Sequence, residues 1–266
     1  MTGVLLDGLG IPESLRWHDG RLWLCNWTTG DVVAVDESGA GEVVASVPTS
    51  IPYSIDWLPD GTLLVVSGQE GLLLRQERDG SLVTHADLTR FGVVNEIVVD
   101  GNANVFVNGS VVVVVRPDGS VTQVADDISW GNGMAVTPDG GTLLVAESHA
   151  MRISAFTIEP DATLTDRRVW ADLAGDNPDG ICVDADGAVW YASVPGRHCV
   201  RVREGGEVLQ TVDVDRGAFA CMLGGSDGRT LFVGAAEWHG MDRMFGQPRT
   251  GVVVTEPVAT PHAGRP

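Results

Sequence analysis

The chain has 266 residues, 44% of them hydrophobic, with a formal net charge of −19 and a pI near 4.4. So acidic a surface repels phosphate backbones and anionic lipid, which argues against nucleic-acid and membrane partners. The first ten residues lack a basic, apolar signal-peptide pattern, and the longest apolar block, Val111 to Val115, is far too short to cross a bilayer, so a cytoplasmic protein is expected. Cys25, Cys182, Cys199 and Cys221 have neither CxxC nor zinc-finger spacing and are expected to be reduced and packed.

Along the chain, a short apolar strand at Val4 to Leu6 precedes a unit that then recurs: apolar strand, tight turn, second apolar strand. It reads SLRW-HDG-RLWLCN, SIDWL-PDG-TLLVVS, EIVVDGNA-NVFVNG, GMAVT-PDGG-TLLVAES, GICVDADG-AVWYAS and ACMLGGSDG-RTLFVGAA. The turn residues Asp19, Asp60, Asn102, Asp139, Asp186 and Asp227 lie 41, 42, 37, 47 and 41 residues apart. Asp, Asn and Gly tolerate the positive φ of a hairpin turn. Two more short apolar runs follow most hairpins, so each repeat of about 40 residues holds four strands, the signature of a propeller blade. A β-sandwich does not account for six copies of one hairpin. The fold expected is therefore an all-β, six-bladed propeller spanning residues 1–257. The sixth repeat supplies only three strands, ending in RTGVVVTEP, and the strand at Val4 to Leu6 is expected to complete it and remove an open edge. Residues 258–266, rich in Pro, Ala and Gly, read as a flexible tail.

The innermost strands of a propeller line its axis, so the segments that enter them share one mouth. In order these are IPESLRW, IPYSIDW, VVNEIVV, WGNGMAV, NPDGICV and AFACMLG. Four of the six place a metal-competent oxygen at the matching point: Glu13, Asn95, Asn132 and Asp179. Two carboxylates and two amide oxygens make a hard site for one divalent ion; Ca²⁺ or Mg²⁺ suits it best, with Mn²⁺ or Zn²⁺ as alternatives. An isolated Asn-Gly or Asp-Gly is usually only a turn; the recurrence at equivalent places is what points to a site. Tyr53, Trp130 and Phe219 are expected as pocket walls, and His149 as a titratable group at the rim. The loop from Ala236 to Gln247 brings Trp238, His239, Met241, Met244 and Phe245, either as a lid over the mouth or as a loop burying its own aromatics. Trp17, Trp23, Trp57 and Trp190 recur within strands and are expected to pack between blades.

The same segments carry a family resemblance. IPESLRWHDGRLW resembles the Glu-Gly-Pro-x-Trp signature of SMP-30/gluconolactonase/LRE-like proteins, and WGNGMAVTPDGGTLLVAES and NPDGICVDADGAVWYA resemble their Asn-Gly and Asp-Gly blades. With VVNEIVVD, the likeness covers nearly the whole chain in the family's order. It implies a calcium- or zinc-dependent hydrolase that opens lactones, acting on a small-molecule substrate as a monomer or weak homo-oligomer. By matching position, Glu13, Asn132 and Asp179 would ligate the ion, Asn95 would be a fourth ligand or a substrate contact, and Asp179 the general base. Glu96 stands where the family has Asp and is expected to face the substrate. Val93 stands where the family often has a substrate-gripping Arg, and Trp130 and Gly131 precede Asn132 where a Pro is usual. These departures imply a less polar or larger substrate than a sugar lactone. Two other readings stay open: another reaction at the same ion (phosphotriester hydrolysis, or isomerisation or cyclisation of a carbonyl compound), and a non-catalytic binding propeller stabilised by metal. No GxSxG, P-loop, HExxH or Rossmann pattern supports other chemistries.

Overall fold

The structure is a computed structural model that describes residues 3–48, 50–240, 243–245 and 248–264. Six four-stranded antiparallel sheets form a β-propeller. The inner strands are Pro12–His18, Tyr53–Trp57, Val94–Val99, Gly131–Val136, Ile181–Val183 and Gly217–Gly224, and each touches the inner strands of both neighbouring blades, which closes the ring. The N-terminal strand, Gly3–Leu9, pairs with Gly251–Pro257 as the outer strand of blade six, so the ring is sealed as the sequence implied.

The core lies in apolar layers between blades, as expected when each sheet has two faces to cover. Leu64, Val66 and Leu73 of blade two meet Ile97, Val107 and Val113 of blade three. The tryptophans fill these layers: Trp17 stacks on Phe232 at 5.4 Å, joining blades one and six, and Trp57 meets Trp23 edge-on at 5.1 Å. All four cysteines are buried free thiols.

The hairpin turns divide their work between Asp and Gly, and one sequence expectation needs correction. At Asp60, Asp139 and Asp227 the glycine that follows takes the positive φ or the carboxylate does the work: each Asp side chain accepts the backbone N–H two residues on, at 2.9–3.0 Å. Only Asp19 among the predicted turn residues itself adopts a left-handed φ, of 49°. The C-terminal segment, expected to be a flexible tail, is docked over its described residues 258–264. Val258 is buried, His262 N–H donates to Gly228 O, Ala263 N–H donates to Val183 O, and Asp184 bridges His262. Buried backbone groups on blades five and six need partners, and this segment supplies them.

No described helix is long and apolar enough to cross a membrane.

Candidate metal centre at the propeller mouth

The inner strands differ in one local feature that decides what reaches the mouth. In blades one, three, four and six the pairing of first and second strands slips once, between Glu13 and Arg16, Val94 and Ile97, Gly131 and Met134, and Ala218 and Ala220. A β-bulge of this kind re-aims the side chains within it. The residues so placed include Glu13, Asn95, Asn132 and Phe219, and all four line one cavity of about 580 Å³. Asp179 reaches the same cavity from just before its strand, with its N–H donating to Ala192 O at 2.8 Å. Blade two has no slip: Tyr53 to Trp57 pair continuously with Ser67 to Leu63.

That unbroken register explains why Tyr53, expected as a pocket wall, is instead a core residue. It is fully buried and its hydroxyl donates to Asn26 O at 2.7 Å; its neighbour Pro52 lines the cavity in its place. Glu96 is a second correction. It lies beneath the cavity, buried, with Oε1 accepting from Arg16 Nη2 at 3.0 Å and from its neighbour's Ile97 N–H at 2.9 Å. Arg16 is itself buried and also donates to Ile97 O and Leu15 O. This buried pair under the site was not foreseen, because nothing in the local pattern around Arg16 marks it as an axial residue.

The mouth layer is knitted together by amides. Asn95 Nδ2 donates to Gly131 O at 3.0 Å and lies 3.4 Å from Asn132 Oδ1, while Asn132 Nδ2 lies 3.4 Å from Ser148 Oγ. Ser148 Oγ donates to Pro178 O at 2.6 Å, and Asn177 Nδ2 donates to Ser148 O at 2.8 Å. Ser148 and Asn177 thus position the Asp179 loop; both were overlooked, although Asn177 belongs to the NPDG segment. The glycines after Asn132 and Asp179 are packing residues, not turn residues. A Cβ on Gly133 would lie 2.5 Å from Ile181 N, and one on Gly180 would lie 2.8 Å from Ala220 Cα. Their absence lets adjacent inner strands approach and bond, Gly133 N–H to Asp179 O at 3.1 Å and Gly180 N–H to Phe219 O at 2.9 Å.

Electrostatics single out the two carboxylates. Burial, then the nearby charges of Asp179 and Glu96, push the Glu13 carboxyl well above the usual range. Burial and Glu96 push Asp179 up likewise, against a hydrogen bond from Asn132. Asp179 Oδ1 is sealed from solvent without a hydrogen-bond partner. The Arg16 guanidinium bound to Glu96 offsets only part of this repulsion, and an oxygen-seeking cation would supply the rest. Among the described residues no three His, Cys, Asp or Glu side chains form a metal cluster, so an ion here would have to draw on the Asn95 and Asn132 amides as well. The residues fit a hard divalent ion.

The rim is aromatic. Trp130 and His149 stack at 5.2 Å, and Trp238 meets Phe219 edge-on at 5.6 Å; all four line the cavity, together with the unforeseen Trp27 and Phe91. The Ala236–Gln247 loop divides its roles. Trp238 faces the cavity, Met244 is buried in the core, and Phe245 is exposed. His239, expected to contact substrate, lines a separate cleft of about 200 Å³ with Glu237 and Arg243. Met241 lies outside the described residues.

A closed ring of six blades with an acidic, amide-knit centre at one mouth defines the class: a propeller built around an axial polar site. The chain belongs to the SMP-30/Gluconolactonase/LRE-like family, whose model matches residues 11–237. It is 32% identical over 145 residues to regucalcin of Gallus gallus, covering 52% of this chain and 48% of that protein, so it spans about half the length of the regucalcins it matches. It is 26% identical over 256 residues to pentonolactonase XacC of Haloferax volcanii, covering 90% of this chain and 86% of that one. Among solved structures, a luciferin-regenerating enzyme superposes with a TM-score of 0.84 at 16% identity, covering 98% of this chain and 97% of that one. A calcium-binding protein, regucalcin, from Agrobacterium tumefaciens superposes with a TM-score of 0.81 at 20% identity, covering 99% and 95%.

Proposed function

We propose that this protein is a metal-dependent hydrolase that opens a lactone, with Glu13, Asn95, Asn132 and Asp179 holding one divalent cation, best suited to Ca²⁺. The observation that carries the reading is the pair of desolvated, mutually repelling carboxylates on the cavity floor, one with an orphaned oxygen. The lactonase names of relatives such as pentonolactonase XacC and the 6-deoxy-6-sulfogluconolactonase of Pseudomonas putida support the reaction class.

A cation bound there supplies positive charge to the oxyanion that develops at the lactone carbonyl and acidifies a neighbouring water. The chain supplies the rest. Asp179 takes the proton from that water as its oxygen bonds to the carbonyl carbon. The same carboxyl returns the proton to the ring oxygen as the ester C–O bond breaks, which gives the hydroxy acid. Asn95, tied to the Asn132 segment, fixes the geometry of the donor layer. The aromatic rim excludes water around the ring being opened. A panel of lactones assayed as purified, after EDTA treatment and after metal add-back tests the reading. Turnover that disappears with EDTA and returns with calcium is expected; undiminished turnover after complete metal removal would refute it.

A further inference from the structure

The wall of the cavity is unlike its floor. Trp27, Phe91, Val93, Trp130, Phe219 and Trp238 give it a largely apolar surface, and among the described residues that line it there is no Lys or Arg. The chain has no lysine at all, and the buried Arg16 is turned away beneath the floor toward Glu96 and Ile97 O. A substrate carboxylate, sulfonate or phosphate would therefore find no cationic side chain here. A polyol would find its polar partners only in part of the lining, such as Gln69 and Ser110. The amides of Asn95 and Asn177 and the hydroxyl of Ser148 are committed to bonds within the protein.

Trp130 is the most telling residue. It is the one aromatic among the described non-glycine residues of positive φ, at 59°, a conformation that a bulky side chain adopts only when its surroundings enforce it. They do so here: Trp130 N–H donates to Ile128 O, Ser148 N–H donates to Trp130 O, and the ring stacks on His149. Despite this pinning, the residue is left 57% exposed at the rim. An indole held so firmly yet left open is preorganised for a flat apolar partner. The cavity volume of about 580 Å³ falls within the range of pockets that enclose drug-sized ligands, roughly 300–1,000 Å³.

We infer that the mouth carries an aromatic subsite centred on Trp130 that selects neutral lactones or esters bearing an aryl or alkyl group over polyhydroxylated or anionic ones. The inference names the substrate class of the hydrolase proposed above and rests on that reading for the reaction, but not for the binding. Its test therefore separates the two. Binding is measured in calcium-containing buffer with the inert lactams of dihydrocoumarin and of gluconolactone, and turnover with the two lactones themselves. The aryl lactam is expected to bind at least about ten-fold more tightly than gluconolactam, the scale of one good aromatic contact. Trp130→Gly, which the positive φ accommodates, should remove most of that preference, and Trp130→Phe should restore most of it. Equal or tighter binding of gluconolactam, or equal weakening of both lactams in Trp130→Gly, would overturn the subsite. Preference for the aryl lactam without turnover of either lactone would leave the subsite standing and sink the hydrolase. Turnover that favours the sugar lactone would do the reverse.

Discussion

Two sets of buried carboxylates in this molecule behave in opposite ways. Glu147, at the C-terminal end of the second strand of blade four and paired with Gly131, has no exposed surface, and its oxygens accept from Arg152, Arg167, Ser154 Oγ and the Ser129 N–H. Those donors outweigh burial and hold it low, at about 2. Glu13 and Asp179 are also desolvated, yet they face each other and Glu96, and are pushed up. The chain is thus able to satisfy a buried carboxylate completely and does so where structure requires it. At the mouth three carboxylates share the single Arg16 guanidinium, the arrangement that the proposed cation site would call for.

Perturbing the two regions should separate them. The largest effect is expected from Asp179→Asn, which removes the proposed base: turnover of the best lactone should fall about 10²–10⁴-fold, with the thermal midpoint equal to or above the parent's. A variant that unfolds instead would mark Asp179 as structural. Glu147→Gln should do the opposite. Breaking a buried pair costs about 3–5 kcal/mol, read by urea unfolding, with turnover per folded molecule close to the parent's. The same residue sets an acid limit. Because its folded value lies near 2 and the ordinary one at 4.5, its stabilisation is fully present above pH 4.5 and drains away as pH falls toward 2. That is about 3 kcal/mol, and Glu147→Gln should flatten this acid limb.

Calcium at about a hundred times its dissociation constant should stabilise the parent by about 2.7 kcal/mol, seen as a raised thermal midpoint. Asp179→Asn should show little of this gain; an equal gain would place the ion elsewhere. The smallest effect is expected from Glu13→Gln in metal-free buffer at neutral pH. A carboxyl raised by folding opposes the fold once pH exceeds its unfolded value, so neutralising it should raise the thermal midpoint of the apo-protein. Destabilisation would contradict the repulsion described here.

Much of this was legible in the sequence. The recurring hairpins specified blades and their number, because alternation and turn chemistry are local. Glu13, Asn95, Asn132 and Asp179 were legible as a set because equivalent repeat positions lie on one ring. What failed was side-chain direction. Tyr53 occupies an equivalent position but lies in a strand of continuous register, so its hydroxyl turns to Asn26 O. Glu96 adjoins Asn95 yet points below it to Arg16. A one-residue slip in pairing reverses such directions, and nothing in IPYSIDW or VVNEIVV announces which of them carries it. The Glu147 cluster was invisible for another reason: its partners come from 5, 7, 18 and 20 residues away with no common spacing.

The slipped registers have an evolutionary consequence. Each is confined to two or three residues of one inner strand, although some of them, such as Leu15 and Ala220, also pack between blades. A single insertion in the inner strand of blade two, or a single deletion in that of blade six, would add or withdraw one group at the mouth while the ring stayed intact. A lineage built on this architecture can therefore explore new chemistries by editing its rim one position at a time, wherever the edited residue does not also fill the layer between blades.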